Sequence, residues 1–169
     1  PHLMGVLNVT ADSFSDGGQF LTVEQAAGQA RQLIADGADI IDIGGESTRP
    51  GAEGVTADEE LKRVLPVITR LARETDIPIS IDTTKADVAR EAIAAGAAMV
   101  NDVDALRAPG ALAALSDTKA AVCLMHMQGR PETMQREPYY DDVVGEVFAY
   151  LSERVAACRA AGIGDDRLI

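Results

Sequence analysis

The chain has 169 residues, 47% of them hydrophobic, which is enough to close one globular core and too apolar for a disordered segment. With 27 acidic against 15 basic residues its net charge is −12, which argues against a general nucleic-acid binder, because phosphate contact needs clustered Lys and Arg. No apolar run reaches the roughly 18 residues of a membrane span, and no signal-peptide series is present; with Pro1 at the head of an apolar segment, the natural start is expected upstream.

In chain order, the apolar run "HLMGVLNV" predicts a first strand that stops on Asn8 and opens into the polar stretch "TADSFSDGG". Thr22 with Gln25 has capping-box spacing, and "QAAGQARQLIAD" carries the helical apolar period up to Gly37. The second strand is "ADIIDI"; Thr56 with Glu59 then opens a helix in which Pro66 predicts a kink or a break into two pieces. The third strand is "IPISID", with Thr84 and Asp87 starting the next helix. A fourth strand "MVNDV", a short helix from Pro109, a fifth strand "AAVCLMHM" and a long helix over 140–161 complete the series. The segments "IADGADIIDIG" and "IAAGAAMVNDV" form a weak internal repeat that overlays Asp42 on Asn101, and "CRAAGIGDDRLI" starts a third copy.

Strands that are apolar throughout and alternate with helices predict an α/β fold with a parallel sheet covered by helices. A doubly wound sheet would show a G-x-G-x-x-G turn, and the sequence has none. The alternative is a (β/α)8 TIM barrel, which needs about 250 residues. The expectation is therefore one partial barrel domain over 1–169, cut after the fifth strand–helix unit as a sixth strand begins.

Catalytic residues of such barrels lie at the C-terminal strand ends and in the loops beyond them. The strand ends read here are Asn8, Asp42, Asp82, Asn101 and His126. One polar strand end is ordinary turn chemistry; the convergence of all of them on one rim points to a site. In "DIGGESTRPGAEG", paired glycines, Ser47, Thr48 and Arg49 suit a phosphate or pyrophosphate held by backbone N–H groups and a guanidinium. The carboxylate of Asp82 can accept paired N–H bonds from a guanidine-like heterocycle, and Asn101 can add one donor and one acceptor to the same edge. Val103 and Met125 would form an apolar wall of that pocket. His126 reads as structural or hydrogen-bonding rather than as a metal ligand or base, and Cys123 and Cys158 as reduced core thiols of a cytosolic protein.

Across essentially its whole length the chain resembles the dihydropteroate synthase family, pterin-binding barrels of folate biosynthesis, and matches roughly the N-terminal two-thirds of the family domain. The resemblance rests on "MGVLNVTADSFSDGG", "DIIDIGGESTRPGA", "ISIDTTK", "MVNDV" and "VCLMHMQGRPETMQ", in the family's order and spacing. It implies a transferase joining 4-aminobenzoate to 6-hydroxymethyl-7,8-dihydropterin pyrophosphate, with Mg²⁺-assisted loss of pyrophosphate. By motif match, Asn8 is the Mg²⁺-binding amide, and Thr48 and Arg49 hold the pyrophosphate. Asp82, Asn101, Val103 and Met125 form the pterin site; Thr10, Phe14, Ser47 and Pro50 form the 4-aminobenzoate pocket, where sulfonamides compete. Asp12, with Arg49, is implied to be catalytic, offsetting positive charge that develops as pyrophosphate leaves. Ala11 stands where many members carry Pro, with little effect expected. The family's later Asp-Pro-Gly and Ser-Arg-Lys segments, and an Arg and His of its last strand, are absent from these residues. The resemblance further implies a cytoplasmic enzyme, homodimeric in its full-length form, that binds neither nucleic acid nor membrane. Two other readings stay open: a pterin-binding methyltransferase, which "STRPG" and "DSFSDGG" disfavour, and an inactive partial homologue.

Overall fold

The computed structural model describes residues 1–9, 18–46, 54–129, 134 and 137–169. Five strands, β1 (Met4–Asn8), β2 (Ile40–Gly44), β3 (Ile79–Asp82), β4 (Met99–Asp102) and β5 (Ala121–Leu124), form one sheet in the order of the sequence. All neighbouring pairs are parallel, joined by α1 (Gly18–Ala35), α2 (Ala57–Glu74), α3 (Ala86–Ala94) and α4 (Ala111–Ser116). A doubly wound sheet reverses its strand order part-way. This one never does, so it is five consecutive units of a (β/α)8 barrel. After α5 (Val143–Ala160) and a 3₁₀ turn at Asp165–Arg167, Leu168 bridges Val122 in parallel. The Ile169 N–H donates to the Val122 carbonyl at 2.8 Å, so a sixth strand begins in the expected place.

Strand alternation gives the sheet two different faces. Leu7, Ile43, Ile81, Val100 and Val122 are register partners across all five strands, and each is at most 1% exposed. They pack beneath the helices with Val64, Val67, Ile68 and Leu71 of α2 and Val88 and Ala92 of α3. Each buried Val, Leu or Ile among them stabilises by about 1.5–3 kcal/mol. The opposite face carries two rows, Val6–Asp42–Ser80–Met99–Ala121 and Asn8–Gly44–Asp82–Asn101–Cys123, the second toward the C-terminal strand ends.

The internal repeat is a repeated helix terminator. Gly37, Gly96 and Gly162 have φ of 104°, 117° and 86°, and each is followed by an N–H that reaches back five residues. Those bonds are Ala38 to Leu33, Ala97 to Ala92 and Ile163 to Cys158, at 2.9–3.0 Å. This is a Schellman closure, for which glycine relieves the left-handed turn.

Several expected boundaries move. α1 begins at Gly18, so Thr22 lies inside the helix and not at its N-cap. α2 runs unbroken through Pro66. Proline in a helix interior costs about 3 kcal/mol, less than the combined burial of Val64, Val67, Ile68 and Leu71 along the same stripe. The Thr56–Glu59 capping box is present in both directions. Thr84 does not cap α3: the N-cap is Lys85, and the Thr83 hydroxyl accepts the Lys85 N–H at 3.2 Å. α4 starts at Ala111 rather than Pro109, and α5 at Val143, capped by Asp142. Asp42 is inside β2, which continues to Gly44, and His126 lies beyond the end of β5.

Candidate active site

The row Asn8–Gly44–Asp82–Asn101 sets three polar side chains and one bare position at the C-terminal strand ends. A Cβ built on Gly44 would lie 3.6 Å from Asp82 Oδ2 and 3.8 Å from Asn8 Oδ1. Glycine therefore leaves both groups facing one open patch. On the next strand, Asn101 Nδ2 donates to Asp42 Oδ2 at 3.0 Å. A carboxylate oxygen accepts, so this bond fixes which way the amide points. The internal repeat thus pairs its own equivalent residues, Asp42 with Asn101. Asp42 is 3% exposed, and among the described residues its Oδ1 and the Ser80 hydroxyl have no hydrogen-bond partner.

Burial, followed by the charges of Asp42, Glu60, Asp102 and Glu46, raises the Asp82 carboxyl from its ordinary value to about 7. At neutral pH it stands between its two forms, and a ligand donating two N–H groups favours the carboxylate. Asp102 points to the opposite, helix-covered face. It accepts the N–H groups of Asp104 and Leu106, both at 2.8 Å, and so orders the turn after β4. Burial raises its carboxyl to about 6, although those two bonds lower it. In that turn Ala105 and Leu106 have φ of 51° and 58°, and Arg154 of α5 donates to both of their carbonyls.

Val103 and Met125 follow β4 and β5 directly, and both are half-buried. His126 packs edge-on against Tyr150, ring centres 4.9 Å apart, with Tyr140 at 5.8 Å. Cys158 is fully buried as expected, but Cys123 is half-buried in the same row as Asp82 and Asn101, not in the core. The period-2 alternation of β5, with Val122 and Leu124 buried, puts Cys123 on the site face.

Thr10, Asp12, Phe14, Ser47, Thr48, Arg49 and Pro50 lie outside the described residues. The stems that carry the 47–53 segment are described. A Cβ on Gly45 would meet Val64 at 2.7 Å and Glu60 at 2.9 Å, so its close backbone approach is to α2. Arg63 of α2 donates to the Gly45 carbonyl at 2.8 Å. Lys85 Nζ reaches Glu46 Oε2 at 2.6 Å and Glu60 Oε2 at 2.7 Å. Sequence reasoning assigned these three no role. One signal was available: Glu60 shares the apolar stripe of Val64, Val67, Ile68 and Leu71, and a buried acid needs a cation or hydrogen-bond donors beside it.

No group of three or more His, Cys, Asp and Glu among the described residues is arranged to hold a metal ion, and no helix among them is long and apolar enough to cross a membrane. Comparison with known proteins is informative over nearly the whole chain. The family described as pterin binding enzyme matches residues 4–169. The dihydropteroate synthase of Escherichia coli K12 is 52% identical over 169 residues, covering all of this chain and 60% of that protein. A solved structure of the Yersinia pestis dihydropteroate synthase in a sulfonamide drug complex is 49% identical, with a TM-score of 0.92 over 99% of this chain and 61% of the other. The Xanthomonas albilineans dihydropteroate synthase, solved with 4-aminobenzoic acid, is 55% identical with a TM-score of 0.89, covering 99% and 59% of the two chains. The chain thus spans about 60% of the length of the relatives it matches.

Proposed function

Because the chain belongs to the pterin-binding enzyme family, we propose that it is part of a dihydropteroate synthase. This enzyme would join 4-aminobenzoate to 6-hydroxymethyl-7,8-dihydropterin pyrophosphate in the cytoplasm. On this reading residues 1–169 contribute five of the barrel's eight strand–helix units. The observation that carries the proposal is the polar row: Asp82 beside Asn101, with the amide held by Asp42. A half-buried pair of acceptor oxygens at the C-terminal ends of two adjacent strands matches a flat heterocycle rich in N–H donors. Sulfonamide and 4-aminobenzoic acid complexes of relatives about 50% identical support the second substrate and the inhibitor class.

The reaction breaks the C9–O bond of the dihydropterin, with the electron pair leaving on pyrophosphate. The 4-aminobenzoate nitrogen then forms a C–N bond to C9 and loses a proton. In this account Asp82 and Asn101 orient the pterin, and Val103 and Met125 supply its apolar wall. Thr48 and Arg49 take the pyrophosphate, and Arg49 stabilises charge as it accumulates on the leaving group. Thr10, Phe14, Ser47 and Pro50 line the 4-aminobenzoate pocket, and Asp12 offsets the positive charge developing at C9.

Asn8 fits the role of a Mg²⁺ ligand. Its amide oxygen is a hard donor exposed at the end of β1, beside the open patch over Gly44. Mg²⁺ typically takes few protein ligands and keeps water and phosphate oxygens, so the lack of an acidic cluster among the described residues is compatible with it. When bound, the ion would neutralise charge on the departing pyrophosphate.

The test is to incubate the complete gene product with both substrates and Mg²⁺ and follow pyrophosphate release. Release that requires both substrates is expected. Transfer of a methyl group from a folate instead would support the methyltransferase reading.

A further inference from the structure

The ion cluster under the second strand–helix connection has no part in the proposed chemistry, yet it joins a fully buried acid to a second acid through one lysine. Glu60 is fully buried, and its Oε2 accepts from Lys85 Nζ at 2.7 Å. The same ammonium donates to Glu46 Oε2 at 2.6 Å. The other oxygen of Glu46 accepts the Val55 N–H at 2.9 Å. A Cβ on Gly54 would lie 3.2 Å from that oxygen, so glycine lets the returning chain pass close to it. One connected path therefore runs from α2, through the start of α3, to both backbone positions that bracket residues 47–53.

We propose that Lys85 is a positioning residue: by bridging Glu60 and Glu46 it fixes the two stems, Gly45–Glu46 and Gly54–Val55, on either side of residues 47–53. Glu60 anchors the cluster because it is fully buried and held by the Lys85 ammonium at 2.7 Å. Lys suits the task better than Arg, since a compact ammonium can donate in two directions at once. Removing it leaves Glu46 and Glu60 facing each other with no cation between them. Glu46 then turns outward, and the Val55 N–H loses its acceptor. The consequence for substrate rests on the reading that Thr48 and Arg49 hold the pyrophosphate. Misplaced stems would weaken that contact and leave the pterin edge at Asp82 and Asn101 intact.

The experiment compares wild type, Lys85→Met and Lys85→Arg in the complete gene product, by amide hydrogen exchange and steady-state kinetics. Lys85→Met is expected to speed exchange at Val55 about tenfold or more. It should also raise KM for the dihydropterin pyrophosphate and for 4-aminobenzoate by about tenfold, because Ser47, Thr48, Arg49 and Pro50 share the segment, while the Kd of a dihydropterin without the pyrophosphate changes less than about twofold. Lys85→Arg should restore part of both effects, whereas a merely structural role would lower the melting temperature without that split. If Lys85→Met does not fold, the neutral double variant Glu60→Gln/Lys85→Met takes its place, because it removes the buried charges together. A folded variant with Val55 exchange and both KM values within about twofold of wild type overturns the proposal. If the wild-type protein shows no turnover, the functional reading fails, and Val55 exchange alone still decides the role of Lys85.

Discussion

At Asp82, position in the sheet and acid–base behaviour make one argument. Its carboxyl is raised from 3.8 to about 7, first by burial and then by four neighbouring acids. Folding therefore takes up a proton at this residue between those values. Its contribution favours the fold below about pH 4 and becomes unfavourable as pH rises toward 7. Ligand binding should show the opposite trend, because paired N–H donors need the carboxylate. Affinity for a dihydropterin is expected to tighten about tenfold from pH 6 to pH 8, measured by titration calorimetry. Asp82→Asn should bind weakly and lose the pH dependence; a flat wild-type profile would contradict the assignment. Gly45 makes a second residue-scale prediction. A methyl group there meets Val64 and Glu60 inside 3.0 Å. Gly45→Ala should destabilise by about 1–3 kcal/mol in urea unfolding, and an unchanged midpoint would show that α2 can yield.

At the scale of elements, legibility followed the range of the interaction. The Thr56–Glu59 box and the Gly37 terminator are local, and both form as read. The strand alternation that places Asp82 and Asn101 on one face is local too, which is why their convergence was visible in the sequence. The break into two pieces read at Pro66 does not occur because a local rule met a tertiary one: the buried stripe of α2 outweighs the missing backbone bond. Replacing Pro66 with Ala should therefore stabilise the protein by about 1–3 kcal/mol in denaturant unfolding. A loss of stability would mean that the proline ring packs favourably enough to offset its backbone penalty. Least legible was the Glu46–Lys85–Glu60 cluster, whose members lie 39 and 25 residues from Lys85 in sequence. Nothing in "ISIDTTK" says which distant acids its lysine will meet; only the acid on the stripe of α2 hints at a partner.

For the molecule as a whole, strand order decides the architecture. Five parallel strands in sequence order, with a sixth starting beside β5, place every C-terminal strand end on one rim. The helix-side face is a continuous apolar layer, and the other face carries the polar row. On the proposed reading, a chain of net charge −12 takes an anionic substrate through the local donors Thr48 and Arg49, while the general surface stays acidic. The central claim is that this rim binds a dihydropterin through Asp82. Its most direct test is calorimetric titration of 6-hydroxymethyl-7,8-dihydropterin pyrophosphate into the complete gene product at pH 8, with Asp82→Asn in parallel. Saturable binding by the wild type, weakened about a hundredfold in the variant, is the predicted result. Equal affinity in the two proteins would contradict the account.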